Sequence, residues 1–344
     1  MSSLQDLKVA VFGAGSIGCY LGGYLMAAGV QVTFIGRERV KWDLEMKGLT
    51  LTHYKRPTIH ISKDYISYSL DYNALADADI ILVCVKSQDS YSAGQTIAQY
   101  ARPDAVLVSF QNGVSNAQTL EESSGRSTVA AIVPFNVTPS ARGTFHCGTE
   151  GDLILAASKN ALVKTLVKAF RKSGMGLITT PDILSYQWGK LLVNLNNALS
   201  ALSGGTLREG LSQKSYRRVL AAMMEEGLQV CNGAGIKPKS FGKASVEKTL
   251  KILRLPNMLF TPVMNKVIKI DPRARSSMLD DLEGGRGSEV EYLQGEIVRL
   301  ASATGQYAPI NAIIREQVLS AFKVHQSPQM SGDDMLALLE GTLN

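Results

Sequence analysis

The chain has 344 residues, a length typical of two domains. Hydrophobic residues make up 45% of the sequence and charged residues 19%, which excludes a disordered, collagen-like or disulfide-scaffold protein. The net charge of +6 comes from 36 basic and 30 acidic residues without a run of like charges, so it does not indicate nucleic-acid binding.

The first half of the sequence alternates apolar, β-branched runs with helical patterns. A helix is predicted over residues 16–28, and short antiparallel strands are predicted as an insertion within residues 48–68. The other predicted strands span residues 8–12, 32–35, 80–85, 105–110, 128–133, 153–156 and 177–179. This alternation predicts an α/β fold of the Rossmann type, with a doubly wound parallel sheet.

After Pro181 the pattern changes to helical periodicity without clear strand runs. The stretch 252–275 contains three prolines and is predicted to be irregular or broken. The predicted helices span residues 182–203, 213–233, 275–283, 287–304 and 310–322. We therefore expect two domains, residues 1–181 and 182–344, of which the second is all-helical.

The cysteines and histidines predict neither a disulfide framework nor a metal site. The four cysteines are far apart and form no C-x-x-C pair, which is typical of buried thiols in a reducing compartment. The four histidines show no ligand spacing. Without a signal-peptide pattern or an apolar run long enough to cross a bilayer, we expect a cytoplasmic protein with no membrane or nucleic-acid partner.

A glycine-rich segment, Gly13-Ala14-Gly15-Ser16-Ile17-Gly18, follows an apolar strand and opens a helix. In that context Gly13 permits a tight turn, Gly15 permits the close approach of a pyrophosphate, and Gly18 lets the helix pack closely on its strand. The helix N-terminus adds free N–H groups and the positive end of its dipole. The segment therefore predicts dinucleotide binding, against the alternative of a glycine-rich turn without a ligand.

The end of the second predicted strand bears on the choice between NADPH and NADH. An NADH site usually places Asp or Glu there for the ribose hydroxyls, whereas this chain has Gly36-Arg37-Glu38-Arg39. The Arg37 guanidinium can pair bidentately with a 2′-phosphate and stack on the adenine, which favours NADPH. In the alternative interpretation, Glu38 binds the ribose and the arginines belong to a solvated loop.

The sequence resembles the ketopantoate reductase (2-dehydropantoate 2-reductase) family over residues 8 to 310. Besides the glycine-rich segment, the matching stretches are Val83-Cys84-Val85-Lys86, Gln111-Asn112-Gly113, Trp188-Gly189-Lys190-Leu191-Leu192-Val193-Asn194, and Ser276-Ser277-Met278-Leu279-Asp280-Asp281 followed by Ser288-Glu289-Val290-Glu291-Tyr292-Leu293-Gln294-Gly295. Members of this family reduce 2-dehydropantoate with NADPH, giving pantoate for pantothenate and coenzyme A synthesis. The resemblance therefore implies an NADP-dependent oxidoreductase that acts on a small 2-keto acid.

The resemblance also implies the catalytic residues. Lys190 matches the general acid of the family, and Glu289 matches the glutamate that hydrogen-bonds the substrate hydroxyl. If residues 182–203 form one helix, Lys190, Asn194 and Asn197 face one side of it. A lysine and asparagines on such an apolar helix need partners or a ligand. An ordinary surface lysine and an ordinary surface glutamate are the alternatives.

Three further residues receive roles from the same resemblance. Ser277 matches a serine near the substrate carboxylate, although it could instead be a helix N-cap. Asn112 follows a strand whose end faces the nucleotide crevice, so it fits a contact to the nicotinamide or the substrate, unless it only forms a turn. Lys86 ends an apolar strand at the same edge and is expected to contact the cofactor, unless it extends into solvent.

Two departures from the family pattern affect the expected substrate. Where many members have an asparagine followed by Pro-Leu-Thr, this chain has Asn196-Asn197-Ala198-Leu199-Ser200, so either Asn197 takes that role or Ala198 occupies the position. Gln294 stands where an asparagine is usual. A different 2-keto or 2-hydroxy acid is therefore the first alternative, and a non-catalytic NADPH-binding sensor is the second. The sequence leaves a homodimer open.

Overall fold

A computed structural model of the chain describes residues 4–240, 245–263 and 275–342. The chain divides into two compact units, Met1–Ile183 and Leu184–Asn344, here called the N-terminal and C-terminal units. No helix among the described residues is both long enough and apolar enough to cross a membrane. In the same ranges, no group of three or more His, Cys, Asp or Glu side chains could hold a metal ion.

The N-terminal unit contains strands and helices in alternation. Its strands are β1 (Lys8–Phe12), β2 (Gln31–Ile35), β3 (Leu49–His53), β4 (Ile59–Ile61), β5 (Ser67–Ser69), β6 (Ile80–Val83), β7 (Val106–Ser109), β8 (Thr128–Ile132), β9 (Val137–Ala141), β10 (Thr144–Cys147), β11 (Leu153–Ala156) and β12 (Leu177–Thr180). Its α-helices are α1 (Ser16–Ala27), α2 (Glu38–Lys47), α3 (Ser90–Tyr100), α4 (Asn116–Ser124) and α5 (Ala161–Lys172).

Eight strands form the main sheet, in the order β12-β11-β8-β7-β6-β1-β2-β5. The six strands from β8 to β5 run parallel, while β11 and β12 run antiparallel to them. Along β1, Val9 and Val11 enter one apolar cluster while Ala10 and Phe12 enter another, because alternate side chains point to opposite faces. This confirms the predicted doubly wound sheet with both faces covered, although the last two predicted strands run antiparallel to the other six. The strand order reverses between β1 and β6, where such folds bind ligands.

A second, four-stranded sheet has the order β4-β3-β10-β9. The antiparallel β3–β4 pair confirms the insertion predicted within residues 48–68. The next strand, β5, overlaps the end of that stretch but pairs in parallel with β2 at the edge of the main sheet. Strands β9 and β10 were not predicted, since β9 contains a proline and four of its five residues are exposed.

The C-terminal unit is helical throughout its described residues, and its first helix begins at the junction of the two units. Its α-helices are α6 (Ile183–Asn194), α7 (Asn196–Ser203), α8 (Leu207–Ser212), α9 (Lys214–Gly233), α10 (Val246–Leu253), α11 (Asn257–Val263), α12 (Ser277–Glu283), α13 (Gln294–Ala303), α14 (Pro309–Lys323) and α15 (Gly332–Ala337). A single 3₁₀ turn, Val290–Tyr292, precedes α13. These helices confirm the predicted helical second half.

Two details of the predicted helices were wrong. The helix predicted over 182–203 is divided at Leu195 into α6 and α7, and the one predicted over 287–304 begins as an α-helix only at Gln294. The stretch 252–275 was predicted to be irregular or broken, and helix is indeed interrupted there between the end of α10 at Leu253 and the start of α11 at Asn257, whose first turn is bonded to the Pro256 carbonyl. A proline at that place costs the helix no hydrogen bond. The remainder of that stretch, 264–274, lies outside the described residues.

Candidate functional site

The glycine-rich loop between β1 and α1 has a shape that only glycine permits at two positions. Gly13 has φ of 104°, and a Cβ there would lie 2.5 Å from the backbone nitrogen of Val85. A Cβ on Gly18 would meet the carbonyl oxygen of Gly13 and would lie 2.9 Å from a Val11 methyl group. The first glycine therefore makes the tight turn, and the third lets α1 pack on β1.

Gly15 differs from the other two glycines because nothing lies within 4 Å of the place that its Cβ would take. It is exposed, and it precedes the first turn of α1, which no side chain of the described residues caps. The backbone N–H groups of Gly13 and Ala14 are already bonded to the Ile35 carbonyl. An open glycine before an uncapped helix N-terminus fits a pyrophosphate group.

We expect alanine at Gly15 to affect ligand binding and alanine at Gly18 to affect the stability of the fold. Gly15→Ala should weaken dinucleotide binding about tenfold with little change in melting temperature, since its backbone is extended and the space is open. Gly18→Ala should instead destabilise the fold by about 1–3 kcal/mol through overpacking. Fluorescence titration and thermal unfolding of both variants would measure this, and equal loss of stability in both would contradict the assignment.

The turn after β2 places Arg37 at the start of α2 with an exposed side chain. The hydroxyl of Tyr68, on β5, donates a hydrogen bond to the Arg37 carbonyl at 3.0 Å. Arg39, in contrast, forms an ion pair with Asp43 at 3.3 Å. Sequence reasoning missed Tyr68, since its contact depends on the pairing of β5 with β2. Of the two arginines, Arg37 is the better candidate for a 2′-phosphate.

Lys86 and Asn112 follow the neighbouring parallel strands β6 and β7. Both therefore lie at the carboxyl edge of the main sheet, on the side of the glycine-rich loop. Each is half-buried, and the carbonyl oxygen of Asn112 accepts a hydrogen bond from the Ser87 hydroxyl at 3.2 Å. The residues of the N-terminal unit that were predicted to bind a cofactor thus all follow parallel strands of the main sheet, in the loops after β1, β2, β6 and β7.

Lys190 and Glu289 interact electrostatically in the C-terminal unit. Lys190 lies on α6 next to the buried Leu191, and Glu289 is only 7% exposed. Although Lys190 keeps some solvent access, the surrounding protein displaces enough water to lower its pKa to about 8, against the opposing effect of the Glu289 charge. The two residues predicted as catalytic are therefore neighbours, and the lysine can release its proton near neutral pH.

Asn194 and Asn197 do not lie on one continuous helix face, contrary to prediction, since α6 ends at Asn194 and α7 carries Asn197. The carbonyl of Leu195, at the break, accepts a hydrogen bond from the Gln294 side chain at 3.2 Å. Both asparagines are half-buried, whereas Ala198 is fully buried. Of the two alternatives for the altered family position, Asn197 therefore has the accessible side chain.

Ser277 is the first residue of α12 and is half-buried. The N-cap is the preceding Ser276, whose hydroxyl oxygen accepts the Leu279 N–H at 3.1 Å and also donates to the Asn197 carbonyl at 3.3 Å. The alternative that made Ser277 the cap was therefore wrong. The Ser277 hydroxyl is therefore not used to cap α12, which is a condition for its proposed contact with the substrate.

Residues 9–160 match the family pattern described as "Ketopantoate reductase PanE/ApbA", and residues 182–320 match "Ketopantoate reductase PanE/ApbA C terminal". The chain belongs to the ketopantoate reductase family. A 2-dehydropantoate 2-reductase from Halobacterium salinarum is 28% identical over 313 residues, which cover 86% of this chain and 92% of the relative. Membership of this family makes the chain an oxidoreductase.

Solved structures of ketopantoate reductases share this fold. The PanE/ApbA family ketopantoate reductase from Ralstonia eutropha JMP134 superposes with a TM-score of 0.78 at 28% identity, covering 93% of this chain and 99% of that one. A D-mandelate dehydrogenase in complex with NADH and anilino(oxo)acetate has a TM-score of 0.77 at 18% identity, with the same coverage of both chains. The second likeness is one of fold alone.

Proposed function

We propose that this protein reduces 2-dehydropantoate to pantoate with NADPH, a step that supplies pantothenate and coenzyme A synthesis. The observation that carries the proposal is Lys190, whose pKa is lowered to about 8 beside the buried Glu289. In this proposal residues 1–181 bind the cofactor and residues 182–344 supply the proton. A cytoplasmic location and a homodimer stay predictions, the first resting on four free cysteines.

Lys190 is proposed as the proton donor of the reaction. The nicotinamide, when bound, supplies a hydride to the keto carbon. Lys190 holds a proton on Nζ and transfers it to the carbonyl oxygen, and its charge stabilises that oxygen as negative charge develops. A pKa of about 8 lies near the working pH, so the lysine is largely protonated at pH 7 and still releases its proton readily.

The neighbouring polar groups are proposed to orient the substrate. The charge of Glu289 favours the protonated form of Lys190, and its carboxylate can accept a hydrogen bond from the substrate hydroxyl. Asn194 and Asn197 offer amide groups to the same end of the substrate. The Ser277 hydroxyl, which is outside the helix cap, can donate to the substrate carboxylate.

The glycine-rich segment, Arg37, Lys86 and Asn112 are proposed to hold the cofactor. The open Gly15 and the uncapped first turn of α1 fit the pyrophosphate, and the exposed Arg37 fits the 2′-phosphate. Lys86 and Asn112 lie at the sheet edge along which a dinucleotide binds in such folds. Each of these groups binds or orients the cofactor and takes no part in proton transfer.

A steady-state assay with 2-dehydropantoate and either NADPH or NADH tests the proposal. We expect a higher kcat/KM with NADPH, and Arg37→Ala should lower that preference about tenfold. Arg39→Ala is the matched control, because the Arg39 guanidinium pairs with Asp43. A preference of the wild-type enzyme for NADH would contradict the Arg37 assignment, and no turnover with either cofactor would contradict the proposed substrate.

A different 2-keto or 2-hydroxy acid is the second candidate substrate. Gln294 stands where the family usually has asparagine, is fully buried, and donates its side-chain amide to the Leu195 carbonyl. The segment Asn196-Asn197-Ala198-Leu199-Ser200 also departs from the usual pattern of the family. A panel of keto acids assayed with NADPH separates the two candidates. If no keto acid is reduced although NADPH binds tightly, the non-catalytic sensor becomes the better interpretation.

A further inference from the structure

Five polar side chains are buried in the N-terminal unit beneath the loops that follow β6 and β7, and the mechanism above uses none of them. They are Ser87, Ser90, Ser109, Gln111 and Asn116. Burying a polar group is unfavourable unless it is hydrogen-bonded. We call this set the buried amide chain, because two side-chain amides connect its three hydroxyl groups.

The first half of the buried amide chain leads to the loop after β6. The Ser109 hydroxyl donates to the Gln111 Oε1 at 3.0 Å. The Gln111 Nε2 then donates to the Val85 carbonyl at 3.1 Å and to the Ser90 Oγ at 2.7 Å. Both amide hydrogens of Gln111 are thereby used, and one of them holds the peptide group that immediately precedes Lys86.

The second half leads to the loop after β7. The Ser90 hydroxyl donates to the Asn116 Oδ1 at 2.6 Å. The Asn116 Nδ2 donates to the Ser87 Oγ at 3.1 Å and to the Asn112 carbonyl, to which the Ser87 hydroxyl also donates. Turning over either amide would set its oxygen against a backbone carbonyl oxygen, that of Val85 for Gln111 and that of Asn112 for Asn116, so each amide has one favourable orientation.

We propose that Gln111 and Asn116 are positioning residues that hold Lys86 and Asn112 in the geometry needed to bind NADPH. This inference rests on the proposed function. An apolar filling of the same volume could stabilise the fold equally well, but it would not fix the carbonyls of Val85 and Asn112 in place. Directional hydrogen bonds do so, and they specify one arrangement of the two loops.

Two variants test the proposal in the full-length enzyme. Asn116→Asp keeps the shape of the side chain and the acceptor for Ser90, but it cannot donate to the Asn112 carbonyl. It should raise the dissociation constant of NADPH at least about tenfold. Ser87→Ala removes one hydrogen bond to the same carbonyl and should raise that constant about fivefold. Ser124→Ala, on α4 with its hydroxyl bonded to Leu120 within the same helix, is the matched control and should leave the constant unchanged.

NADPH binding is measured by fluorescence titration without substrate, together with the melting temperature and the KM of the keto acid. We expect the dissociation constant and the KM of NADPH to rise while the KM of the keto acid stays the same. A merely structural role would lower the melting temperature and the amount of active enzyme, with unchanged constants in the folded fraction. If Asn116→Asp does not fold, Ser87→Ala decides alone, and wild-type affinity in it overturns the proposal. If the wild-type enzyme itself does not bind NADPH, the proposed function has failed instead.

Discussion

Lys190→Ala is expected to lower kcat about 10²- to 10⁴-fold while the KM for NADPH stays near its wild-type value. The substitution removes the proposed proton donor and the positive charge that stabilises the developing alkoxide. The assigned cofactor-binding residues all belong to the N-terminal unit and are unaltered. Steady-state kinetics with the concentrations of both substrates varied would measure kcat and the KM for NADPH. The control is Lys251→Ala, since Lys251 is an exposed lysine on α10. Near-normal turnover in Lys190→Ala would mean that Lys190 is not the acid.

The lowered pKa of Lys190 also predicts the pH dependence of the reaction. Reduction needs the protonated lysine, so kcat should fall as the pH rises through about 8, and the reverse reaction should accelerate over the same range. This pKa lies below the ordinary lysine value of 10.5, so the unfolded chain binds the proton more readily than the folded chain does. The contribution of this group to stability therefore increases as the pH rises from 8 to 10.5. Lys190→Met should accordingly not lower the melting temperature at pH 7, which separates lost chemistry from lost folding.

Arg217→Met is expected to lower the free energy of unfolding by about 3–5 kcal/mol. Arg217 is fully buried, and its Cζ lies 4.1 Å from the centre of the Phe260 ring. Its guanidinium donates only to neutral acceptors among the described residues, namely the carbonyls of Leu211, Ser212, Leu253 and Leu255 and the side chain of Asn257. These carbonyls lie at or just beyond the ends of α8 and α10, where the helix dipole is negative.

Methionine fills part of the volume of Arg217 but leaves the buried carbonyls of Leu211 and Leu253 without this donor. Chemical denaturation of the variant would measure the loss. Arg218→Met is a matched control, because the neighbouring side chain is exposed, and it should change stability by less than about 0.5 kcal/mol. Wild-type stability in Arg217→Met would show that the acceptors find other donors, such as water.

The features predicted correctly from sequence are those encoded by local patterns. The order strand, glycine-rich segment, helix follows from apolar runs and from the spacing of Gly13, Gly15 and Gly18, and the structure reproduces it. The change to helices after Pro181 is equally local. Each depends on residues within one turn or one strand, so a single sequence contains the whole signal.

The features that were missed depend on residues far apart in the sequence. The break at Leu195 lies where Gln294, 99 residues later, donates to its carbonyl. Nothing in the helical pattern of residues 182–203 indicates that partner. Similarly, the adjacent Arg217 and Arg218 look alike in sequence, yet one is fully buried and the other exposed. Tertiary contacts override local preference at such positions.

Part of the four-stranded sheet that packs against α1 is synthesised long after α1 itself. One side of α1 packs against β3, β4, β9 and β10, and Tyr20 on that helix contacts the Phe135 ring with centroids 5.7 Å apart. Thr52 on β3 and His146 on β10 are hydrogen-bonded across 94 residues of sequence. As the chain leaves the ribosome, α1 emerges early, and the part of its apolar flank that faces β9 and β10 can be covered only after residues 137–147 have been synthesised.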